Sequence, residues 1–447
     1  MSKDTISTIV VSLLIAATTS GAQVDSGNYW PAWRGPLATG EAPNADPPVT
    51  WSEDKNIRWK VEIPGKGLAS PVVWGDSVFV LTAVPTDKEP ADTGSDESAV
   101  VPERMKKMLV SSKKVQQFVV MAIHRKDGSV QWSKTVREAW PPKGTHRDNS
   151  WASGSPLTDG KYLFAFFGSH GLFCLDLKGN LLWEKDLGEM KTRMNFGEGS
   201  TPALCGDKII VNWDHEGQSF VTALSKADGR ELWNVDRNEQ TSWATPLVVD
   251  WAGKKQVVVS ATKRICSYGA ADGNLIWECG GMTANVIPSP MFAEGTVYAM
   301  SGFRGSACVA IKLDAAKGDI TDSKEAIIWS HHENTPYVPS ALLSGGLLYF
   351  LDGNRTKLSC LKASDGTVVY GPEELEGLKG AYASIVGGGG RLYVAARNGV
   401  TAVIEQGPKF GVLAVNKLDT GIDASFALVG KELYIRGTGH LYCVAGE

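Results

Sequence analysis

The segment Ala244-Thr245-Pro246-Leu247, completed two short strands later by Asp272-Gly273-Asn274-Leu275-Ile276-Trp277, decides the fold of this chain. Thr201-Pro202 and Asp228-Gly229-Arg230-Glu231-Leu232-Trp233 form a second full copy. The position after the Ser or Thr recurs eight times, as Pro71, Pro156, Pro202, Pro246, Pro290, Ala341, Ile385 and Phe426. The Trp position recurs in the same phase, as Trp59, Trp132, Trp183, Trp233, Trp277, Trp329 and then Tyr370. Two markers that keep one phase, with a step of about 45 residues, indicate an internal structural repeat.

Each repeat contains about four short strands rich in β-branched and aromatic residues. In the fifth repeat these strands are expected at 290–292, 297–300, 308–311 and 327–329. The Asp-Gly pairs suit hairpin turns, because Gly accepts the positive φ that such turns require. Four antiparallel strands of this size bury both faces only when the sheets stack radially, which is the arrangement of a β-propeller.

The two ends of the chain predict how the ring closes. The C-terminal segment 440–444 has the pattern of a third strand, and the N-terminal segment 56–60 has that of a fourth strand. An N-terminal strand that completes the last blade leaves no free sheet edge. The sequence therefore predicts an all-β fold, an eight-bladed β-propeller of four-stranded antiparallel blades, with the ring closed by the N-terminal strand.

The start of the chain has the features of a leader for export. Lys3, an apolar stretch at 6–17 and the small residues Ser20 and Ala22 predict a signal peptide over residues 1–22, cleaved after Ala22. About a dozen apolar residues are too few to span a bilayer, so a membrane anchor is the weaker alternative. We expect the mature protein to be periplasmic or secreted.

The rest of the chain is predicted to form a strap and one domain. Residues 23–50 form the N-terminal strap, and residues 51–447 form the propeller with a polar surface insertion at 85–114. A second insertion at 138–153 leads into a first strand, so it can reach over the propeller face. The formal net charge of −4 argues against nucleic acid as a partner. We expect a monomer that does not span a membrane.

The seven cysteines invite a disulfide interpretation in an exported protein. Three of them, Cys174, Cys360 and Cys443, fall in a strand position where other repeats have Ala, and a free Cys packs there as a small apolar side chain. Cys266 and Cys279 flank the turn at 272–273 symmetrically, which leaves a disulfide across that hairpin as an alternative.

The Ser-Pro and Gly-x-x-x-Trp repeat resembles the pyrroloquinoline quinone (PQQ)-type propeller repeat over residues 30–447. Three segments narrow the resemblance to the exported PQQ-like repeat proteins of planctomycete-type bacteria. They are Trp30-Pro31-Ala32-Trp33-Arg34-Gly35-Pro36, Thr145-His146-Arg147-Asp148-Asn149-Ser150-Trp151-Ala152-Ser153 and Pro336-Tyr337-Val338-Pro339-Ser340. The resemblance implies that each Trp docks against the neighbouring blade.

Two branches of the superfamily imply different functions. Quinoprotein alcohol and sugar dehydrogenases use PQQ with calcium and an Asp base, and several carry an adjacent Cys-Cys pair. The other branch includes the outer-membrane β-barrel assembly propeller, a scaffold. This sequence has no adjacent cysteines, no Cys-x-x-Cys-His haem motif and no evident calcium set. We therefore expect a non-catalytic binding or scaffold module for a protein or polysaccharide-related ligand, without PQQ or calcium. The alternative is a PQQ-dependent dehydrogenase that oxidises an alcohol or sugar.

Loops that lead into the innermost strands are expected to surround the channel mouth, where loops on a rigid scaffold commonly carry function. The candidate ligand-binding residues on these loops are His146, Arg147, Asn149, Asn195, Glu198, Trp243, Asn285, Tyr337, Tyr382 and Asp423. The segment His146-Arg147-Asp148-Asn149 brings several polar groups to one place, and Trp243 suits a stacking floor for a planar ligand. The alternative is that these side chains only solvate a channel mouth and bond to loop backbone. No residue is assigned a catalytic or metal-binding role.

Overall fold

Eight antiparallel sheets stand around a central channel in the computed structural model, which describes residues 26–91 and 101–446. First strands of neighbouring blades contact one another, so the first strand of each blade lines the channel. The prediction of an all-β, eight-bladed propeller with four-stranded blades is confirmed. The predicted signal peptide lies outside the described residues.

The blades follow one another along the chain, and the strands of each are ordered from the innermost outward. Blade 1 comprises Val72–Trp74, Ser77–Pro85, Gln116–His124 and Val130–Ala139; blade 2 Leu157–Thr158, Tyr162–Phe166, Leu172–Asp176 and Leu181–Lys185; blade 3 Ala203–Cys205, Lys208–Trp213, Ser219–Ser225 and Glu231–Arg237; blade 4 Leu247–Trp251, Lys254–Ser260, Arg264–Gly269 and Leu275–Gly280. Blade 5 comprises Met291–Ala293, Thr296–Ser301, Ala307–Lys312 and Ile327–His331; blade 6 Leu342–Ser344, Leu347–Leu351, Lys357–Lys362 and Val368–Glu374; blade 7 Val386–Gly388, Arg391–Ala395, Val400–Glu405 and Val412–Lys417; blade 8 Ala427–Val429, Glu432–Arg436, His440–Ala445 and Ile57–Glu62. Short 3-10 turns occur at Ser26–Asn28, Gly168–His170, Arg193–Asn195 and Leu313–Ala315.

The last blade is shared between the two ends of the chain. Ile57–Glu62 runs antiparallel to His440–Ala445 and forms the outermost strand of blade 8. The predicted closure of the ring by the N-terminal strand is therefore confirmed. Blade 4 carries one addition, because Gly318–Asp319 pairs in parallel with its outermost strand, Leu275–Gly280.

The Trp of a repeat packs on the hairpin turn of the next blade. An added Cβ on Gly179 would come within 2.8 Å of the Trp132 ring, whose Nε1 donates to the Leu177 carbonyl at 3.0 Å. Gly179 also has a φ of +86°, so the turn and the close approach both require glycine. The same arrangement recurs at Trp59, Trp183, Trp233 and Trp329. Trp277 differs, because its Nε1 donates to Gln256 in its own blade at 3.1 Å.

All seven cysteines are buried and unpaired. Three of them lie opposite the aromatic position of the outermost strand, namely Cys174, Cys360 and Cys443. A small side chain at this position leaves room for the ring. The alternative of a disulfide between Cys266 and Cys279 is not realised, because the hairpin sets Cys279 opposite Ile265, the neighbour of Cys266, and neighbouring side chains point to opposite faces of the sheet.

The N-terminal strap runs across one end of the channel. Trp30 pairs with Val73 of blade 1 through two backbone hydrogen bonds of 2.9 and 3.1 Å. The next residue, Pro31, accepts a hydrogen bond of 2.9 Å from the Thr158 N–H in blade 2. The strap thus begins as an extra segment that bonds to the first strands of blades 1 and 2, toward their C-terminal ends.

Arg34 connects the strap to blades on the opposite side of the propeller. Its guanidinium is 2% exposed and donates to the carbonyls of Thr39, Ala341 and Ile385, the last at 2.8 Å. Ala341 and Ile385 belong to blades 6 and 7. Burial lowers the pKa of Arg34 to about 9, so the guanidinium still carries its charge at neutral pH.

The two insertions meet over the other end of the channel. The helical turn Glu103–Lys106 and the strand Leu109–Val110 come from the first insertion, and this strand pairs antiparallel with Thr145–His146 of the second. The Arg147 N–H also donates to the Met108 carbonyl at 2.7 Å. The segment predicted as a surface insertion therefore contributes, in its described part, to a structure that we call the cap, comprising residues 101–110 and 140–149.

None of the helices within the described residues is long and apolar enough to cross a membrane.

Candidate functional site

A ring of eight hydroxyl side chains encircles the channel where the innermost strands begin. Its members are Ser70, Ser155, Thr201, Thr245, Ser289, Ser340, Ser384 and Ser425, one from each repeat. The backbone N–H of each member donates to the hydroxyl oxygen of the next blade at 2.8 to 3.2 Å, through seven consecutive steps from Ser70 to Ser425. The repeated Ser or Thr therefore links neighbouring blades, and we call these eight side chains the hydroxyl ring.

A second ring lies two residues earlier in each repeat. Side chains alternate in extended backbone, so the residue two positions before each hydroxyl also faces the channel. Its members are Leu68, Ser153, Gly199, Trp243, Ile287, Val338, Tyr382 and Asp423, and all of them line the central cavity. Blades 4 to 6 contribute an apolar arc, whereas blades 7 and 8 contribute polar groups. We call this the variable ring, because its side chain differs in every blade.

The variable ring and the cap enclose a cavity of about 400 Å³. Trp33 of the strap forms its floor, with Nε1 donating to the Ser289 hydroxyl at 3.1 Å. Met105, Met108 and His146 of the cap form its roof. The volume lies in the range of small-ligand pockets, which are typically lined by apolar and aromatic side chains with a few placed polar groups.

An ion-pair network fastens the cap to blades 7 and 8. Arg397 donates through Nη2 to Asp148 Oδ1 at 2.9 Å and through Nε to Asp423 Oδ1 at 2.7 Å. The guanidinium lies over the Tyr382 ring at 4.1 Å from its centroid, and the Tyr382 hydroxyl donates to Asp148 Oδ2 at 3.3 Å. Burial raises the pKa of Asp148, but the hydrogen bond and charge of Arg397 outweigh it and hold that pKa below its usual value. Asp148 is therefore ionised and already paired.

His146 is held by the same network. Burial lowers the pKa of His146 against the attraction of Asp148, so the imidazole is neutral at pH 7. Its Nδ1 accepts the Asp148 N–H at 3.2 Å, and its ring meets Phe196 edge-on at 5.1 Å between centroids. The Lys66 ammonium donates to two backbone carbonyls of the same segment at 2.6 and 3.0 Å. The polar segment of the cap is thus rigidly supported.

Six of the ten predicted site residues line the cavity, namely His146, Asn149, Trp243, Tyr337, Tyr382 and Asp423. Trp243 stands in the wall and not in the floor, where its Nε1 donates to the Gly197 carbonyl at 2.8 Å. Tyr337 stacks on Phe303 with 4.8 Å between ring centroids. These contacts fix two aromatic faces toward the cavity.

The other four predicted residues lie elsewhere. Arg147 is exposed and its side chain does not line the cavity. Asn195 and Asn285 have φ of +56° and +53°, a left-handed conformation that Asn tolerates better than most residues. Backbone geometry therefore accounts for these two asparagines. Glu198 belongs to a separate side cleft.

Glu198 lies at the base of this side cleft, which has a volume of about 260 Å³ and separates the second insertion from blade 2. Its carboxylate accepts the Ser169 N–H at 2.7 Å and the Ser169 hydroxyl proton at 2.5 Å. The side chain keeps some accessible surface, but protein atoms crowd around the carboxylate. Burial raises the pKa of Glu198 to about 7, despite these hydrogen bonds.

Sequence reasoning missed Arg397 and Phe303. Both belong to loops that join the second and third strands of a blade, directly after Arg391–Ala395 and Thr296–Ser301. Because neighbouring strands are antiparallel, these loops emerge at the same end of the blade as the loops that lead into the first strand. A search of both loop sets for aromatic and charged residues would have found them.

The residues at the cavity do not fit PQQ and calcium, the pair that the dehydrogenase alternative requires. PQQ carries three carboxylates, whose combined charge calls for cationic partners, yet Arg397 at the rim is already shared by Asp148 and Asp423. In the part of the chain that the structure describes, no group of three or more His, Cys, Asp or Glu side chains could hold a metal ion. No chemical step is therefore assigned to either group.

Comparison with known families gives one match that spans most of the chain. The sequence model described as outer membrane protein assembly factor BamB matches residues 45–212 and 216–446. No curated protein sequence matches the chain.

Several solved structures share the propeller at low sequence identity. BamB from Moraxella catarrhalis is 15% identical, with a TM-score of 0.55 over 81% of this chain and 99% of that one. A europium-containing methanol dehydrogenase is 11% identical, with a TM-score of 0.61 over 92% and 89% of the two chains. A quinohemoprotein alcohol dehydrogenase from Comamonas testosteroni is 10% identical, with a TM-score of 0.59 over 95% and 82%. At these identities the likeness establishes the fold alone.

Proposed function

The chain belongs to the family of the outer membrane protein assembly factor BamB, and from this premise we propose that it is an exported, non-catalytic binding or scaffold module. Its capped cavity receives part of a protein or a polysaccharide-related ligand. One observation carries the proposal, namely the contrast between the two rings. Eight repeats supply the same hydroxyl fastening, whereas the position two residues earlier differs in each blade and faces one enclosed space.

The lining of the cavity favours binding. Trp243, Ile287 and Val338 form an apolar arc, and Tyr382 and Asp423 face it from the polar side. Buried aromatic anchors with a polar rim are the features that carry most binding energy at recognition sites. An apolar group of the ligand would pack on the arc, while the polar side would orient it.

The bonding of the titratable groups at the central cavity argues against catalysis there. A general base must have a lone pair within reach of the substrate proton. Here Asp148 and Asp423 are held by Arg397, and His146 Nδ1 accepts a backbone N–H. Acid–base chemistry would first have to break the network that fastens the cap.

The family favours a protein as the partner, because the description of its model names an assembly factor. A polysaccharide-related ligand is the other outcome of the test below. The proposed periplasmic or secreted location depends on the leader at 1–22, and the mass of the mature chain, expected to begin at Gln23, tests it.

The deciding experiment compares two tryptophans of blade 4 on a peptide array and a glycan array. Trp251 is the matched control, because it lies at the other end of the first strand and bonds to Asp314 at 2.7 Å, outside the cavity. We expect saturable binding on one array, weakened about tenfold or more by Trp243→Ala and unchanged by Trp251→Ala. An equal effect of both variants, or none of Trp243→Ala, would contradict the proposed site.

The dehydrogenase alternative makes an opposite prediction. Reduction of a redox dye by the protein with an alcohol or sugar, after addition of PQQ and calcium, would overturn the non-catalytic proposal. Titration of the protein with PQQ provides an independent measurement, since PQQ bound near Trp33 or Trp243 would quench tryptophan fluorescence saturably.

A further inference from the structure

The hydroxyl ring is one-sided in its hydrogen bonding. Seven of its oxygens accept a backbone N–H, but none of the eight hydroxyls donates to another atom in residues 26–91 and 101–446. Each hydroxyl has one proton to donate. All members except Ser340 and Ser384 line the cavity. The lower part of the cavity is therefore surrounded by donors that have no acceptor in the described protein.

The ring is open at one place, the seam between blades 8 and 1. Ser70 is 2% exposed and lines the cavity, yet its Oγ has no hydrogen-bond partner among the described residues. It therefore does not accept the bond from the Ser425 N–H that would close the ring. A buried hydroxyl without a partner destabilises the protein. An acceptor atom of a ligand at this seam would remove that destabilisation.

The groups on either side of the hydroxyl ring define the rest of the ligand. Trp33 forms the floor, and the apolar arc of Trp243, Ile287 and Val338 forms one wall. An ionised carboxylate accepts hydrogen bonds only, and its bonds are about twice as strong as neutral ones. A sugar ring fits this part of the cavity less well, because its hydroxyls need acceptors. The nearby carboxylates, Asp148 and Asp423, already accept hydrogen bonds from Arg397.

We propose that the cavity binds a carboxylic acid that has an apolar body. Its carboxylate accepts hydrogen bonds from the hydroxyl ring at the seam beside Ser70, and its body packs on the apolar arc. This inference rests on the proposed function and deepens it, since it names the ligand chemistry of the same cavity. A free organic acid and the C-terminal carboxylate of a protein with an apolar last residue share this chemistry.

Matched acid and amide probes test the head group. We expect phenylacetate to bind the full chain saturably at pH 7 by calorimetry, and phenylacetamide to bind about tenfold more weakly, because the amide has lost the charge. The tripeptide Gly-Gly-Phe with a free or an amidated carboxyl group distinguishes the two sources. Tighter binding of the free tripeptide than of phenylacetate indicates a protein terminus, and the reverse order indicates a small acid.

Two ring members serve as matched variants. Ser70→Ala removes a hydroxyl that has no partner among the described residues, so the variant should fold normally and bind phenylacetate about fivefold more weakly. Ser340→Ala removes a hydroxyl that accepts the Ser289 N–H at 3.0 Å but does not line the cavity. It should lower stability and leave the affinity unchanged. Ser70→Thr keeps the hydroxyl and should keep the affinity.

Any of three results would overturn the inference. They are equal affinities for the acid and the amide, an unchanged affinity in Ser70→Ala, and no binding of phenylacetate at about 1 mM. Failure of the inference can be separated from failure of the proposed function. If array binding depends on Trp243 while phenylacetate does not bind, the proposed function stands and the carboxylate inference is wrong. If Trp243→Ala changes neither measurement, both are wrong.

Discussion

The two ends of the central channel are closed by different kinds of contact. The strap end is held by buried backbone bonds and by Arg34, whose partners are carbonyl groups of the blades. The cap at the mouth is joined to the propeller by hydrogen bonds from the exposed Lys66 to two cap carbonyls. It is also held by Arg397, which is 33% exposed and pairs with Asp148 and Asp423. Partly exposed ion pairs contribute little stability, whereas buried hydrogen bonds are costly to lose. We infer that the strap is part of the fold, whereas the cap is a closure that opens at modest cost.

Arginine substitutions at the two ends should separate these roles most strongly. Arg34→Ala leaves the Ala341 and Ile385 carbonyls without the guanidinium donor, whereas the Thr39 carbonyl keeps the Leu343 N–H. We expect the free energy of unfolding to fall by about 3 kcal/mol. Arg397→Ala removes partly exposed pairs and should cost about 1 kcal/mol. Urea unfolding of both variants measures the difference. Equal losses would show that the mouth is as much a part of the fold as the strap.

The strap end illustrates why blades are easier to predict than their closure. The Ser-Pro and Trp markers recur within about 45 residues, so the sequence itself displays their period. Arg34 and its partner Ile385 are 351 residues apart, and the donor and the carbonyl carry no matching pattern in the sequence. The motif at 30–36 identifies a strap, but only the closed ring brings blades 6 and 7 to Arg34.

A change of pH should affect the mouth end alone, because the pKa of Glu198 is about 7 there while Arg34 stays charged. The folded-state pKa of Glu198 lies above its ordinary value of 4.5, so the folded protein binds the extra proton. This stabilisation is complete below about pH 4.5 and is lost as the pH rises through 7. We expect Glu198 to contribute a loss of about 2 kcal/mol between those values, reduced by the partial solvent access of the side chain. His170, whose pKa burial lowers to about 4, contributes in the opposite direction.

Glu198→Gln should remove this pH dependence, because the amide can occupy the place of the protonated carboxyl beside Ser169. Thermal unfolding between pH 4.5 and 8 measures the slope. Glu374→Gln is the control, since that side chain is 61% exposed in blade 6 and should leave the slope as in the wild type. The same slope in Glu198→Gln as in the wild type would assign the titration to another group, such as His170.

The candidate site was only partly predictable, for a reason visible in the two rings. Loop polarity points to Tyr382 and Asp423, which do face the cavity, but it points equally to Asn195 and Glu198, which do not. Alternation accounts for part of the distinction, because the residue two positions before each hydroxyl faces the channel. That rule can be read from the repeat itself. The roof formed by Met105 cannot, since the first insertion has no counterpart in the other repeats.

The smallest predicted effect concerns the cap alone. Asp148→Asn weakens the bond from Arg397 and the bond from Tyr382, both of which fasten the cap to blade 7. We expect amide hydrogen exchange in Leu109–Val110 to become about fivefold faster, which corresponds to about 1 kcal/mol of local stability. Exchange in the blades should not change, because their ladders do not include the cap.

Asp352→Asn is the matched control for this measurement, since Asp352 pairs with the exposed Arg355 in blade 6 at 3.0 Å, away from the cap. Unchanged exchange at Leu109–Val110 in Asp148→Asn would mean that other contacts, such as the Lys66 bonds to the cap carbonyls, hold the cap closed. Faster exchange throughout the blades would mean that cap and propeller open together. Either result would contradict the distinction between a strap that belongs to the fold and a cap that controls access. That distinction requires the cap to open while the ring of blades stays closed.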